Sequence, residues 1–156
     1  MSEKTISRAE EIVKSKTAAV NMGAGVTLSL IDNEGYPSTS TLSISTADGI
    51  RQILFCIGLD SNKARRAAKC SRASVCVFGD DFEGGDYYNI TLVGDVEIVT
   101  DPAAKRDAWY ADLEEHFPNG ADDPGYCVLR FITKRYNLWF VDEETEIGGT
   151  LPHAKP

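Results

Sequence analysis

Residues Ile53–Asp80 read ILFCIGLDSNKARRAAKCSRASVCVFGD. The opening is a nearly unbroken apolar run, short enough for a strand that ends at Leu59. Asp60, Ser61 and Asn62 form a polar turn, and a short helix is predicted from about Lys63. Ala73–Asp80 then reads as a second strand. No Asp or Glu occurs between Ser61 and Gly79, while Lys63, Arg65, Arg66, Lys69 and Arg72 crowd together, in a chain of formal net charge −8. A helix N-terminus offers free backbone N–H groups and a partial positive charge, which suits an anion. Ser61 adds a hydroxyl and Lys63 a point charge, and Lys63 and Arg66 share a helix face at i, i+3. A solvated basic helix face has the same signature, so the block by itself supports both readings.

The flanking sequence is rich in strands. Upstream, residues 5–20 carry Ile6, Ala9, Val13 and Val20 near one face of a predicted helix. Val26, Leu28 and Leu30 alternate with Thr27, Ser29 and Ile31 in a predicted strand. Asn33, Gly35 and Pro37 punctuate a turn. STSTLSIS, residues 38–45, alternates again, and TADG, residues 46–49, is read as a turn into the apolar strand. Downstream, the acidic loop DFEGGD leads to a long strand over residues 87–100, where Gly94 marks a bulge or bend. Thr100 or Asp101 caps a helix predicted over residues 101–117, with Pro102 at its first position. Trp109, Tyr110 and Leu113 form its packed face. Residues 126–133 and 136–144 are expected to be two strands joined around Lys134–Arg135, followed by an irregular tail from about residue 143. About seven strands and three helices, with many hairpin-length connections, predict a closed or sandwich-like antiparallel barrel with helices outside.

Composition narrows the class. With 156 residues, no repeat and no linker, one domain over residues 1–156 is expected. An acidic surface lacks the broad basic face that nucleic-acid binding needs. No apolar run reaches the length of a membrane span. The charged start MSEKTISRAEEIVKSK has no apolar signal core, which predicts a cytoplasmic protein. Cys56, Cys70, Cys76 and Cys127 form no C-x-x-C pair and are read as buried free thiols. His116 and His153 are read as surface residues. Asp80-Asp81 and Asp122-Asp123 are read as turn formers, and no metal site is expected.

Four segments together carry a resemblance: DNEGYPSTSTLSI, ILFCIGLDSNKARRAAKCSRASVCVFGD, ITLVGDVEIVTDPAAKRDAW and HFPNGADDPGYCVLRFITKRYNLWF. In this order and spacing, from about Gly25 to Phe140, the chain resembles the pyridoxamine 5′-phosphate oxidase-like superfamily of FMN-binding split barrels, and within it the general-stress-protein branch. The resemblance implies a mainly β (α+β) split β-barrel, largely antiparallel, with peripheral helices. It implies FMN at the interface of a homodimer and a small-molecule substrate or electron donor. The strand after the G-x-P turn would lie along the flavin, which here means Ser40, Thr41, Leu42 and Ser43. The S-x-K of the family, Ser61-Asn62-Lys63 here, would hold the phosphate. Asn89 and Trp139 match, respectively, a polar residue and an aromatic that reach or flank the cofactor.

Three positions depart from the pattern. Ser40 stands where the family carries a phosphate-binding Arg. Cys56 and Ile57 stand for a polar pair before the phosphate loop. The R-x-H segment of the true oxidases is absent, which argues against oxidation of pyridoxamine phosphate itself. The resemblance thus implies an FMN-dependent oxidoreductase. Other readings are a flavin-binding stress protein without turnover, or the same barrel holding F420 or haem.

Overall fold

A computed structural model describes residues 2–20, 25–143 and 146–151. Within these residues the four cysteines are free, with Cys127 buried. Cys56, Cys70 and Cys76 are only half-buried, which corrects the expectation of uniformly buried thiols.

One eight-stranded antiparallel sheet curls around the core. Its strands are β1 (Val26–Ile31), β2 (Pro37–Thr41), β3 (Thr46–Asp48), β4 (Gln52–Gly58), β5 (Arg72–Asp81), β6 (Asp86–Val99), β7 (Tyr126–Phe140) and β8 (Ile147–Thr150). They run in the order β2-β1-β5-β6-β7-β4-β3, with β8 paired to β7. The sheet does not close: residues 42–45 carry the chain from the β2 edge to the β3 edge, and the barrel is split there. Period-two patterning sets the faces. Val26, Leu28 and Leu30 of β1 point into the core with Val75 and Val77 of β5, Ile90 and Leu92 of β6, and Leu138 and Phe140 of β7.

Helices α1 (Ser2–Ser15), α2 (Asn62–Lys69) and α3 (Pro102–Ala108) lie outside the sheet. Ala9 and Val13 of α1 are fully buried. The helix stops at Ser15, earlier than expected, because hydroxyls take its last carbonyls: Ser15 Oγ donates to Ile12 O at 2.6 Å and Thr17 Oγ1 to Lys14 O at 2.8 Å. Val20 therefore lies beyond the helix and is 60% exposed. Asp101 caps α3 by accepting from the Ala104 amide at 3.0 Å, with Pro102 in the first turn. The helix expected over residues 101–117 is broken at Trp109–Tyr110 and resumes as a 3-10 helix, Ala111–Glu115. The break lets the Trp109 ring turn onto Tyr126, edge-on at 5.3 Å.

Other boundaries differ from the sequence reading. TADG is not simply a turn: Thr46–Asp48 forms β3, and the turn starts at Gly49, whose φ is +54°. β2 ends at Thr41 rather than Ser45. β7 is one strand of 15 residues, not two. Its pairing with β6 shifts between Val93 and Gly94, so that Arg135 faces Val93, Thr133 faces Gly94, and Lys134 is the extra residue of a bulge. The two charges that look like a joint in the sequence are thus accommodated outward without ending the strand. Ile147–Thr150, read as irregular tail, pairs with Arg135–Leu138. Its two glycines hide the alternation, and Gly149 lies so close to the Tyr136 ring that a Cβ there would sit 2.4 Å from the phenol oxygen.

A second, smaller core explains why β4 is apolar on both faces. Phe55 and Ile57 point inward, while Leu54 and Cys56 meet Ala108, Tyr126, Val128, Trp109 and Phe117 outside the sheet. β5 has no such cover. Val75 and Val77 are buried, but Cys76 and Phe78 on its other face remain half-exposed.

Candidate functional site

The tight turn after β4 builds the site. Ser61 N donates to Gly58 O at 3.1 Å, and Leu59 N to Gly125 O at 2.9 Å, pinning the turn to the loop before β7. Ser61 is the N-cap of α2, and its Oγ accepts from the Ala64 amide at 3.2 Å. That leaves the hydroxyl proton available as a donor. The Asn62 and Lys63 amides have no carbonyl to meet within the helix.

Beside this turn lies a cavity of about 260 Å³. It is lined by Leu42, Cys56, Ile57, Gly58, Ser61 and Lys63, together with Leu113 of the 3-10 helix and His116 and Phe117 just after it. The cavity unites five of the residues singled out in the sequence: Leu42, Cys56, Ile57, Ser61 and Lys63. Lys63 is half-buried and has no ion-pair partner among the described residues.

The Cys56 side is scaffold rather than nucleophile. Its thiol donates to Ala108 O at 3.3 Å and lies 3.4 Å from the Tyr126 phenol oxygen. Burial pushes the Cys56 thiol up, outweighing the opposing hydrogen bonds from Tyr126 and Ser45, so it stays protonated at neutral pH. Tyr126 is raised as well, chiefly by burial, and its phenol donates to Lys105 O at 2.9 Å. Lys105, only 8% exposed, donates to Asp123 O at 2.9 Å and sits 5.2 Å from the centre of the Tyr126 ring. These contacts hold the outer core that supports the cavity wall.

The other candidates lie elsewhere. Asn62 is exposed, and its Oδ1 accepts from Arg65 Nη2 at 2.7 Å. With Arg65 and Arg66 it lines a separate depression against Asp32, Asn33 and Glu34. Ser40 and Thr41 sit on the β2 edge, opposite Leu28 and Thr27, and Ser43 lies in the crossover; none of the three lines the cavity. Asn89 and Trp139 face each other across β6 and β7. Cys56 pairs with Val128, at the other end of β7 from Trp139. At about 3.3 Å per residue the separation along the strand is on the order of 30 Å. One chain therefore does not bring Asn89 and Trp139 to the Lys63 cavity.

Gly58, Leu113, His116 and Phe117 were missed in the sequence. Leu113 is buried, in keeping with its assignment to a packed face, and His116 is exposed, in keeping with its assignment to the surface; what the sequence did not show is that both line the cavity. Leu113 lies just before HFPNGADDPGYC and His116 opens it; the fold of this stretch onto β4 is set by long-range packing rather than by local pattern. His153 lies outside the described residues.

The unclosed antiparallel sheet with its outer helices defines a split barrel as the class. A family model described as pyridoxamine 5′-phosphate oxidase matches residues 18–140, and the chain belongs to that family. Among solved structures, a Clostridium acetobutylicum protein related to general stress protein 26 aligns over 97% of both chains, at 22% identity and TM-score 0.77. A pyridoxamine 5′-phosphate oxidase-related, FMN-binding protein of Nostoc punctiforme aligns over 93% of this chain and 86% of its own, at 16% identity and TM-score 0.61. A haem-binding protein of Mycobacterium smegmatis aligns over 91% of this chain and 57% of its own, at 21% identity and TM-score 0.66. At these identities the structural likeness speaks to the fold. No curated protein matches the sequence.

Proposed function

We propose that the protein is an FMN-dependent oxidoreductase acting on a small molecule other than pyridoxamine phosphate, and that it works in the cytoplasm as a homodimer. The observation that carries this reading is the convergence of the α2 amides, the Ser61 hydroxyl and the Lys63 ammonium on one cavity floored by β4. That donor set suits a phosphate monoester. Leu42 would pack against the flavin beyond it. FMN, when bound, supplies the redox chemistry. The chain's part is to hold the phosphate through Ser61 and Lys63, to keep Cys56 as an uncharged wall, and to exclude water with Leu113 and Phe117.

The cavity's size supports the dimer. At about 260 Å³ it lies just below the roughly 300–1,000 Å³ of ordinary small-molecule sites, which is consistent with a pocket that a second chain would enlarge. The half-exposed outer face of β5 and the distant Asn89 and Trp139 are what a two-fold partner would use to complete it. Among the described residues no helix is long and apolar enough to cross a membrane.

The absorbance spectrum of the purified protein tests the ligand. Flavin bands, or their appearance after FMN is added, are expected. A haem Soret band, or a colourless protein that takes up no FMN, would overturn the reading. Oxidation of NAD(P)H by the flavin-loaded protein separates an enzyme from a flavin carrier without turnover.

A further inference from the structure

A bound phosphate monoester carries about −1.5 to −2 charges at neutral pH. Lys63 supplies one positive charge, and Ser40 stands where a second would be expected. None of the remaining cations of the basic block lines the cavity. Arg65 donates to Asn62 Oδ1 at 2.7 Å and to the Asp60 carbonyl. Arg66 lines the depression facing Asp32 and Glu34. Lys69 Nζ donates to Asn33 Oδ1 at 3.1 Å. Arg72 is exposed and stands opposite Asp95 on β6.

What the cavity does contain is His116. Its backbone is fixed: His116 N donates to Leu113 O at 3.0 Å, Phe117 N donates to the same carbonyl at 2.9 Å, and Leu113 is buried. The Phe117 ring is braced by Trp109 and Tyr126, at 6.4 and 5.2 Å between centroids. The His116 ring nitrogens have no hydrogen-bond or ion-pair partner among the described residues; the ring's recorded contact is edge-on to Phe117 at 6.5 Å. His116 itself is exposed, as are Asp112, Glu114 and Glu115 of the same segment. An imidazole donates an N–H in its neutral as well as its cationic form, so these acids do not prevent it from binding an anion.

We propose that His116 donates a ring N–H to the FMN phosphate in the cavity that it lines with Ser61 and Lys63, filling the role that Ser40 cannot. The inference rests on the FMN reading above. It makes His116 a residue that discriminates between the phosphorylated cofactor and riboflavin.

The test is equilibrium binding of FMN and of riboflavin to wild type, His116→Ala and His116→Gln. His116→Ala should weaken FMN roughly tenfold or more and leave riboflavin unchanged. His116→Gln, which keeps an N–H donor, should recover part of the loss. Unchanged FMN affinity in His116→Ala overturns the role of His116 and leaves the FMN reading standing. An equal loss of FMN and riboflavin overturns it too, because the residue then acts through packing. A wild type that binds no FMN, or binds riboflavin as tightly, defeats the FMN reading itself and this inference with it.

Discussion

At the residue scale, Lys63 should carry the largest share of phosphate recognition. Its ammonium lies at a helix start where backbone amides are free, and no described carboxylate neutralises it. Lys63→Ala removes a charge-assisted hydrogen bond, expected to cost about 1.5–3 kcal/mol, or roughly 10- to 150-fold in FMN affinity. Riboflavin should bind the variant and wild type alike. If both ligands weaken together, Lys63 acts through folding. Ser61 and Lys63 were legible in the sequence because turn, cap and charge are all local signals. Leu42, Cys56 and Ile57 were legible only through family resemblance. The place of His116 at the cavity was not legible: it follows the break at Trp109, whose ring meets Tyr126 edge-on at 5.3 Å, a contact distant in sequence.

At the scale of elements, the β6–β7 bulge is the feature most open to test. Sequence reading marked Gly94 but took Lys134–Arg135 for a break, because outward charges within a strand look like a loop. A Cβ on Gly94 would sit 1.9 Å from the Ile132 carbonyl oxygen, which is backbone and cannot swing aside. Gly94→Ala should therefore destabilise by about 1–3 kcal/mol, read as a fall in the urea midpoint. Equal stability would show that the strands can separate there at little cost. The extra residue of the bulge, Lys134, also reaches Asp95 Oδ2 at 2.6 Å. The hydrogen bond from Lys134 chiefly holds the Asp95 carboxyl below its usual range, with help from Ser71 and the Arg72 charge. A depressed folded-state value contributes stability above the unfolded value of about 3.9, and that contribution is lost as pH falls through the folded one. Asp95→Asn should thus cost at most about 1 kcal/mol at pH 7, this being a part-exposed pair, and should flatten the decline in stability below about pH 4. An acid limb identical to wild type would remove Asp95 from the account. β3 and β8 escaped the sequence because three- and four-residue edge strands carry too few side chains to show alternation.

At the scale of the whole molecule, about seven strands were legible against the eight observed, because period-two patterning is strong in β1, β5 and β6. The sequence also required cover on both faces of two apolar strands. The structure meets that demand for β4 within the chain, through α3 and the 3-10 segment. For β5 it does not, and the outer face of the sheet stays half-exposed. Under the proposed dimer, a two-fold axis would bring the cavity at one end of β7 of one chain to the Asn89–Trp139 pair of the other. The most direct measurement is light scattering during size exclusion, with protein and flavin absorbance recorded together on the FMN-loaded protein. The expected result is a mass of two chains with one flavin per chain, and loss of flavin wherever the dimer dissociates. A mass of one chain with flavin still bound, or a dimer that takes up no flavin, would contradict it.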